Sequence, residues 1–480
     1  MLLGELLIQL GMAKAEDIER GLARQRQHGG LLGENLLALG IVTSEKLNQA
    51  LQLAPPAPRK IAETGLNGPF LTSLMLKFMY VKSLETASEL SADIKLPANI
   101  MGELLEQAKE AALVSVLGAA GLSMTSELRY ELTGQGRERA ADALSRSQYL
   151  GPAPVPLADY ITRITRQRVA DERVNREDMK KQSAHLVLPP GLLEELGPAA
   201  NSGRAMLLYG PPGSGKTSIA EVIGECFKGM VYVPYAIEID GQIITLYDPT
   251  LHEMVASAAT GGTGSLLMEA TDARWVACKR PVVLAGGELS LDMLDLRYSP
   301  DAGLYDAPLQ VKAMNGIFVM DDFGRQLVQP RDLLNRWIVP LEKRFDFLHL
   351  NTGKKFLLPF DVLVVFSTNL APEDLMDDAF LRRIPYKILV GVPTVEDYVE
   401  IFRRVCAAND LRVPSGLMDE LISDFYGKQK EPLASYHPKF LIDRVIDSCR
   451  FVGTPPYLDT QRLQAAWRNL FVEKGKHKSI

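Results

Sequence analysis

Cysteine is scarce in this chain, which argues against a disulfide framework and a zinc site. The four cysteines are scattered without any short pairing: Cys226, Cys278, Cys406 and Cys449. Long apolar runs are also missing, since the longest, residues 111–124, is well short of the roughly 20 residues that span a bilayer. The chain opens without a basic region or a cleavage site, so no secretory signal is expected. These absences predict a cytoplasmic protein without membrane insertion.

Excess charge of one sign is a further absence. The formal net charge of -6 gives no electrostatic case for nucleic acid as an obligate partner. Hydrophobic residues make up 46% and charged residues 23% of the chain, which is typical of a globular protein rather than a disordered one. A chain of 480 residues is too long for one compact core, so about two to four domains are expected.

The first segment of the chain contains a tandem repeat. "LLGELLIQLG" at residues 2–11 returns 29 positions later as "LLGENLLALG" at 31–40, identical at seven of ten positions. Each copy has apolar residues at helical spacing, ends in glycine, and is followed by a second predicted helix that opens near Ala15 or Thr43. Two such helical hairpins should pack on each other, which predicts an all-α repeat domain over residues 1–53.

The duplicated pattern Leu-Gly-Glu-x-Leu-x-x-Leu-Gly resembles the N-terminal domain of type II secretion and type IV pilus assembly ATPases. In some members of that family each motif helps to hold cyclic di-GMP. Binding members usually have Arg before Leu-Gly, whereas this chain has Leu2 and Leu31, which removes an evident guanine or phosphate contact. The resemblance implies protein docking by this domain, with cyclic di-GMP binding as the alternative.

A second unit follows a linker placed at residues 54–62, which the proline-rich stretch "LAPPAPRK" at residues 53–60 indicates. Residues 63–148 are predicted to form helix, turn, helix, two strands ("LVSVLG" and "LRYELTGQG") and a closing helix. This order resembles a winged helix-turn-helix, which implies DNA binding as one function.

The charges of this unit favour a protein partner over DNA. Residues 61–150 carry eight Lys/Arg and eleven Asp/Glu, and the recognition helix has Glu103, Glu106 and Glu110 against Lys109. A helix that enters the major groove normally brings cations to the phosphates and base edges. We therefore expect a protein-interaction winged helix.

A connector is placed at residues 149–185, and it begins with a second proline-rich joint, "YLGPAPVPL". The sequence that follows the joint contains both acidic and basic residues, with seven basic residues from Arg163 to Lys181. That pattern predicts a solvated connector helix.

The stretch "YGPPGSGKTS", residues 209–218, fits a phosphate-binding loop between an apolar strand and a helix. Its glycines permit backbone angles at which successive N–H groups point at phosphate oxygens, and the helix dipole favours the same anion. Lys216 can reach the β and γ phosphates of ATP, and the Thr217 hydroxyl can ligate Mg²⁺. The predicted nucleotide-binding set of this loop is Gly210, Pro211, Pro212, Gly213, Ser214, Gly215, Lys216, Thr217 and Ser218.

Two later apolar strands end in polar residues suited to the same site. "GIFVMDDFGR" ends its strand at Asp321 and Asp322, and "VLVVFSTNL" ends its strand at Asn369. Asp321 would hold Mg²⁺, and Asp322 would orient or deprotonate the attacking water. If the two strands are neighbours, the Asn369 amide can hold that water.

This ordered set resembles the AAA+ ATPases over roughly residues 186–475: Walker A, Walker B, sensor 1, an arginine finger before a strand, and a helical lid with sensor 2. The resemblance implies an α/β P-loop NTPase core with a parallel sheet over residues 186–392, then a helical lid and tail over 393–480. The whole chain is thus predicted to be multidomain, with the all-α repeat domain and a winged-helix-like α+β domain before this core.

The resemblance also assigns roles to residues whose spacing alone does not indicate a function. Arg383 takes the finger position, with Arg382 as the alternate, and Lys439 takes the sensor 2 position. The family usually has Asp-Glu at Walker B and Arg at sensor 2, whereas this chain has Asp321-Asp322 and Lys439. The shorter carboxylate and the loss of bidentate phosphate contact predict a slow or gated ATPase.

Because a finger acts in trans, the resemblance implies a homo-oligomer, with a ring and a hexamer as candidates. The leading interpretation is an ATPase that remodels a protein client or adaptor recruited through residues 1–148, with a link to secretion, pili or motility. A hairpin around residues 351–353 is expected to touch the substrate or partner. The alternatives are a nucleotide-switched transcriptional regulator that binds DNA through the winged helix, and a cyclic di-GMP receptor with ATPase output.

Overall fold

The computed structural model describes residues 4, 7–8, 12–29, 32–43, 54–119, 127–255, 271–375, 378–428 and 430–470. In the tandem repeat it describes two helices, α1 (Ala15–His28) and α2 (Leu32–Ala38). They pack closely, since a Cβ added at Gly21 of α1 would lie 2.6 Å from Leu36 Cδ2. Leu2 and Leu31, the positions that bear on cyclic di-GMP, lie outside the described residues, and so does the predicted helix after Thr43.

The next segment is a small helical unit with one β-hairpin. Its helices are capped by polar side chains: Asn67 accepts from the Phe70 N–H at 2.7 Å, and Thr86 accepts from the Glu89 N–H at 3.2 Å. Their apolar faces meet in a core that includes Phe78 and Leu104. The elements, in order, are α3 (Gly68–Lys82), α4 (Ala87–Ile94), α5 (Ala98–Glu110), the antiparallel strands β1 (Val114–Ala119) and β2 (Leu128–Leu132), and α6 (Gly134–Arg146).

The connector is not the solvated helix that its charges predicted. It comprises β3 (Val155–Pro156), α7 (Leu157–Arg166) and α8 (Arg176–Gln182). Tyr160 and Ile164 of α7 are buried, and Arg163 is only 5% exposed. The Arg163 guanidinium lies 5.8 Å from the centre of the Trp275 ring, so its stem and its planar head pack on an aromatic surface. The prediction was wrong for α7 because it assumed that every basic residue is exposed to solvent, whereas Arg163 is buried.

A buried arginine ties the N-terminal units to the rest of the molecule. Arg274 is 3% exposed and pairs with Asp272 at 2.8 Å. Its guanidinium also donates to the carbonyl oxygens of Thr64 (2.9 Å) and Pro154 (3.2 Å). The Asp272 N–H donates to the Pro55 carbonyl, so the proline-rich linker is fixed to the larger domain.

A parallel sheet with helices on both sides forms the centre of the larger domain. Its strands are β4 (Met206–Tyr209), β9 (Val282–Ala285), β12 (Ile317–Met320), β15 (Leu363–Thr368) and β16 (Tyr386–Leu389). Across the sheet they lie in the order β16-β4-β15-β12-β9, which is fifth, first, fourth, third and second in the chain. The two inner strands β12 and β15 are buried at every residue, which explains their apolar sequences.

Helices and smaller sheets surround this centre. The helices of the domain are α9 (Leu192–Asn201), α10 (Lys216–Cys226), α11 (Leu309–Lys312), α12 (Pro330–Lys343), α13 (Pro372–Leu375) and α14 (Asp378–Leu381). A second sheet joins β3 to β6 (Ala236–Ile239), β7 (Gln242–Thr245), β11 (Leu304–Asp306) and β10 (Arg297–Ser299). Two antiparallel pairs complete the domain: β5 (Met230–Pro234) with β8 (Trp275–Lys279), and the hairpin β13 (Phe345–His349) with β14 (Lys355–Pro359).

A helical lid follows the sheet and has a core of its own. Tyr398, Phe402 and Trp467 are buried in that core. Across the described parts of the chain, the structure contains no helix that is both long and apolar enough to cross a membrane. The lid helices are α15 (Val395–Ala408), α16 (Leu417–Glu420), a π-helical segment Leu421–Gly427, α17 (His437–Val452) and α18 (Thr460–Leu470).

Candidate functional site

A cleft of about 700 Å³ lies where the loop after β4 faces the lid. Besides the loop, its lining includes the segment 185–188 and residues of α15 and α17. The predicted loop residues that line the cleft are Pro212, Gly213, Ser214, Gly215, Lys216, Thr217 and Ser218.

Two glycines shape the loop by positive φ and by close backbone approach. Gly210 has φ +147°, and an added Cβ would lie 2.2 Å from the Val390 carbonyl oxygen after β16. Gly213 has φ +75°, and its added Cβ would lie 2.2 Å from the ring of Tyr436 beside the lid. The Ser435 N–H donates to the Gly213 carbonyl at 3.0 Å. The loop therefore touches both the sheet and the lid through positions that exclude a side chain.

Lys216 begins α10 and is 6% exposed. Its Nζ donates to the carbonyl oxygens of Gly210 (3.0 Å) and Pro211 (2.8 Å) and to Asn369 Oδ1 (2.8 Å). Burial lowers the pKa of this ammonium group, while Asp321 and Asp322 act in the opposite direction. A buried cation that donates to neutral oxygens can exchange them for phosphate oxygens, so the site fits a nucleotide phosphate.

The ends of β12 and β15 bring the predicted polar residues to the same place. Thr217 Oγ1 donates to Asp321 Oδ2 at 2.8 Å, and Asn369 Nδ2 donates to Asp322 Oδ1 at 2.9 Å. The parallel pairing of β15 with both β4 and β12 accounts for this meeting, because the carboxyl ends of parallel strands share one edge. Lys216 and these four side chains form the cluster that we call the catalytic edge.

The donor set also fits Mg²⁺. Asp321 offers a carboxylate and Thr217 a hydroxyl, and Mg²⁺ is usually bound by one or two carboxylates together with substrate phosphates and waters. Over the parts of the chain that the structure describes, no group of three or more His, Cys, Asp or Glu could hold a metal ion alone. A magnesium ion at this edge would thus depend on the nucleotide for its remaining ligands.

The lid contributes two cations to the cleft. Lys439 lines it, as the sensor 2 assignment requires, but its side chain is 73% exposed and its Nζ lies 2.8 Å from Asp443. Arg404 of α15, which the sequence did not single out, also lines the cleft and donates to the carbonyl oxygens of Ala184 (2.8 Å) and Leu186 (3.2 Å). It links the lid to the segment 184–186, and no motif marks it because its partners are carbonyl groups distant in sequence.

The two finger candidates lie away from this cleft. Arg382 and Arg383 precede β16 and line a different groove, of about 560 Å³. Arg383 Nε donates to Glu342 Oε1 at 2.6 Å. Within one chain, neither arginine therefore takes part in the catalytic edge.

Comparisons with known proteins add local and distant similarities. A family model described as "Domain of unknown function (DUF8689)" matches residues 394–469, which is the lid. A vesicle-fusing ATPase of Dictyostelium discoideum is 41% identical over 54 residues, or 11% of this chain and only 7% of that protein. The fold class follows from the structure itself, from its central sheet, its glycine-rich loop and its helical lid. The fold is AAA+-like.

Two solved structures that align with this chain share little of its sequence and have low TM-scores. NtrX from Brucella abortus in complex with ADP has 13% identity and a TM-score of 0.38, covering 72% of this chain and 68% of that one. The RuvB Holliday junction branch migration motor of Thermotoga maritima has 16% identity and a TM-score of 0.32, covering 62% of this chain and 70% of that one.

Proposed function

We propose that this protein binds ATP with Mg²⁺ in the cleft beside the lid and hydrolyses it. The observation that carries the proposal is the catalytic edge: a buried lysine, a hydroxyl, two carboxylates and an amide, joined by hydrogen bonds. A glycine-rich loop at the start of a helix supplies the backbone N–H groups that phosphates need.

Each side chain has a distinct role in this proposal. Lys216 would exchange its neutral partners for phosphate oxygens and stabilise the charge that develops during transfer. Asp322, oriented by the Asn369 amide, would accept a proton from the attacking water. Thr217 and Asp321 would hold Mg²⁺, which neutralises phosphate charge when it is bound.

We further propose that hydrolysis is slow and depends on assembly. Asp322 has one methylene fewer than the glutamate common at this position, so its carboxylate reaches less far towards a water. A displacement of about 1 Å can lower a rate on the order of a hundredfold. Arg383, or Arg382 as the alternate, would supply positive charge to the site of a second copy.

Phosphate release tests the ATPase proposal. The full-length protein with ATP and Mg²⁺ should release phosphate, and Lys216→Ala should abolish that release because the phosphates lose their buried cation. Lys181→Ala, which alters an exposed lysine of α8, is the matched control and should behave as wild type. Equal release by wild type and Lys216→Ala would refute the proposal.

The work that hydrolysis drives is proposed to be the remodelling of a protein partner, with secretion or pilus systems as the setting. The N-terminal residues 1–148 would recruit that partner. Glu103, Glu106 and Glu110 of α5 are all exposed, which favours a protein ligand over DNA for the winged-helix-like unit.

A substrate trap separates these two partner classes. The Asp322→Asn variant should keep ATP bound and hydrolyse it poorly, so that it retains a protein client that wild type releases. Salt-sensitive retardation of duplex DNA by the full-length protein, with no client retained, would favour the transcriptional regulator instead.

A further inference from the structure

Arg404 of α15 is a lid residue whose contacts reach outside the lid. Its Nη1 donates to the carbonyl oxygen of Ala184 at 2.8 Å and to that of Leu186 at 3.2 Å. Its Nε donates to Glu400 Oε1 at 2.7 Å, one turn earlier on α15, and this contact orients the guanidinium group. Hydrogen bonds whose donor carries a charge are stronger than those between neutral groups. Arg404 is therefore suited to hold the lid against the segment 184–186.

That segment is fixed to the larger domain and not to the lid. It contains the end of the short 3-10 helix Ser183–His185, which continues directly from α8. Met179 of α8 is buried in the same core as Met206 of β4, and Gln182 Nε2 donates to the Glu225 carbonyl of α10 at 3.3 Å. The lid has a separate core. Arg404 thus joins two bodies that fold around different cores.

The two bodies that Arg404 joins also share the nucleotide cleft. Residues 185–188 line it from the larger domain, and Ile401 and Val405 line it from α15, on either side of Arg404 in sequence. A ligand that touches both bodies needs them at one spacing. Arg404 lies about 14 Å along the helix from Val395, where α15 begins after the segment that joins it to β16. A contact this far from the joining segment resists rotation of the lid better than a contact beside it.

We infer that Arg404 is a positioning residue, which fastens the lid to the end of the connector and so sets how tightly the cleft holds a nucleotide. This inference rests on the proposed function, since it takes the cleft as the nucleotide site. Without the two carbonyl contacts, a smaller fraction of the molecules has the spacing that a nucleotide needs. The apparent dissociation constant then rises by the reciprocal of that fraction.

Calorimetry of the full-length protein with ATP and with ADP, each with Mg²⁺, tests the inference. Arg404→Ala should raise both dissociation constants on the order of tenfold, because two charge-assisted hydrogen bonds are lost. The KM for ATP should rise by a similar factor, with a smaller change in kcat, since the contact holds the ground state and the transition state alike. Arg403→Ala is the matched control: it removes the same charge from an exposed residue of α15 outside the cleft lining, and it should behave as wild type.

A conservative change separates the contact from the charge. Arg404→Lys keeps a charged donor but loses the planar group that contacts Glu400 and the carbonyl oxygens together, so its dissociation constants should lie between those of wild type and Arg404→Ala. Release of a fluorescent ADP analogue should become faster in the order wild type, Arg404→Lys, Arg404→Ala, because changes of affinity within one site appear mainly in the dissociation rate.

The outcomes distinguish this inference from the proposed function. Equal dissociation constants in Arg404→Ala and Arg403→Ala overturn the inference, and so does a fall in kcat at unchanged dissociation constants, because Arg404 would then act on the reaction itself. If Arg404→Ala does not fold by circular dichroism, the comparison is made with Arg404→Lys. Wild type that binds ATP but releases no phosphate refutes the proposed hydrolysis and leaves the calorimetric comparison valid, whereas wild type that binds no nucleotide refutes both.

Discussion

Asp322 is the residue on which the proposed chemistry depends most. Its backbone has φ +48°, in the left-handed region, which Asp and Asn adopt more readily than other side-chain-bearing residues. The Asn369 amide holds its carboxylate at 2.9 Å. The AAA+ ATPases that this sequence resembles usually have glutamate here. The aspartate of this chain is thus compatible with the local backbone.

Replacing this carboxylate should separate binding from turnover. Asp322→Asn keeps the size and the tolerance of positive φ, so the fold and the ATP dissociation constant should change little. The rate of phosphate release should fall about a hundredfold to a thousandfold, because the proposed proton acceptor is lost. Asp332→Asn, an exposed aspartate of α12, serves as the control. A turnover number equal to that of wild type would exclude Asp322 as the base.

At the scale of elements, the lid contacts the glycine-rich loop at Gly213. The positive φ of this glycine and the Tyr436 ring beside it leave no space for a methyl group. Gly213→Ala should therefore push the lid from the loop and weaken ATP binding on the order of tenfold, as measured by calorimetry. Gly191→Ala provides the comparison, since Gly191 also has positive φ (+86°) but nothing within 4 Å of an added Cβ. Equal ATP affinity in both variants would show that the ring contact does not matter.

A buried histidine makes the stability of the lid depend on pH. His437 Nδ1 lies 2.8 Å from the Tyr426 hydroxyl, and burial lowers the pKa of the imidazole to about 4. In the unfolded chain its pKa is about 6.5, so between these values the unfolded state binds a proton that the folded state does not. Stability from this group is present above pH 6.5 and is lost as pH falls towards 4.

Urea unfolding at pH 7 and pH 5 tests this dependence. The unfolding free energy of wild type should fall by about 1.4 kcal/mol for each pH unit within the window because of His437 alone. His437→Gln should be less stable at pH 7 but should lose less stability between pH 7 and pH 5. The same loss in both proteins would show that another group causes the pH dependence.

The elements that form the catalytic edge could be predicted from sequence because their signals are local. A glycine-rich loop between strand and helix, and two apolar strands that end in polar residues, each lie within about ten residues. Parallel pairing then brings Lys216, Asp321 and Asn369 together. The burial of α7 and the contacts of Arg274 were not predicted, since Arg274 reaches Thr64 and Pro154 across 210 and 120 residues of sequence.

At the scale of the whole molecule, one chain holds the proposed nucleotide cleft and the two finger candidates in different places. Arg383 is paired with Glu342 in a separate groove, and the cleft lining does not include it. If hydrolysis needs both, the complete site forms only between two copies. The arrangement therefore predicts that activity depends on contact between chains and falls on dilution.

Mixing two inactive variants tests this account most directly. Lys216→Ala cannot hold the phosphates but keeps its finger, whereas Arg383→Ala keeps the phosphate site but lacks the finger. Each alone should release almost no phosphate, and their mixture should recover a substantial part of wild-type release, because an intact cleft can then face an intact Arg383. The same mixing experiment is repeated with Arg382→Ala in place of Arg383→Ala. If wild type is active and both mixtures stay as inactive as their components, hydrolysis does not depend on an arginine from a second chain.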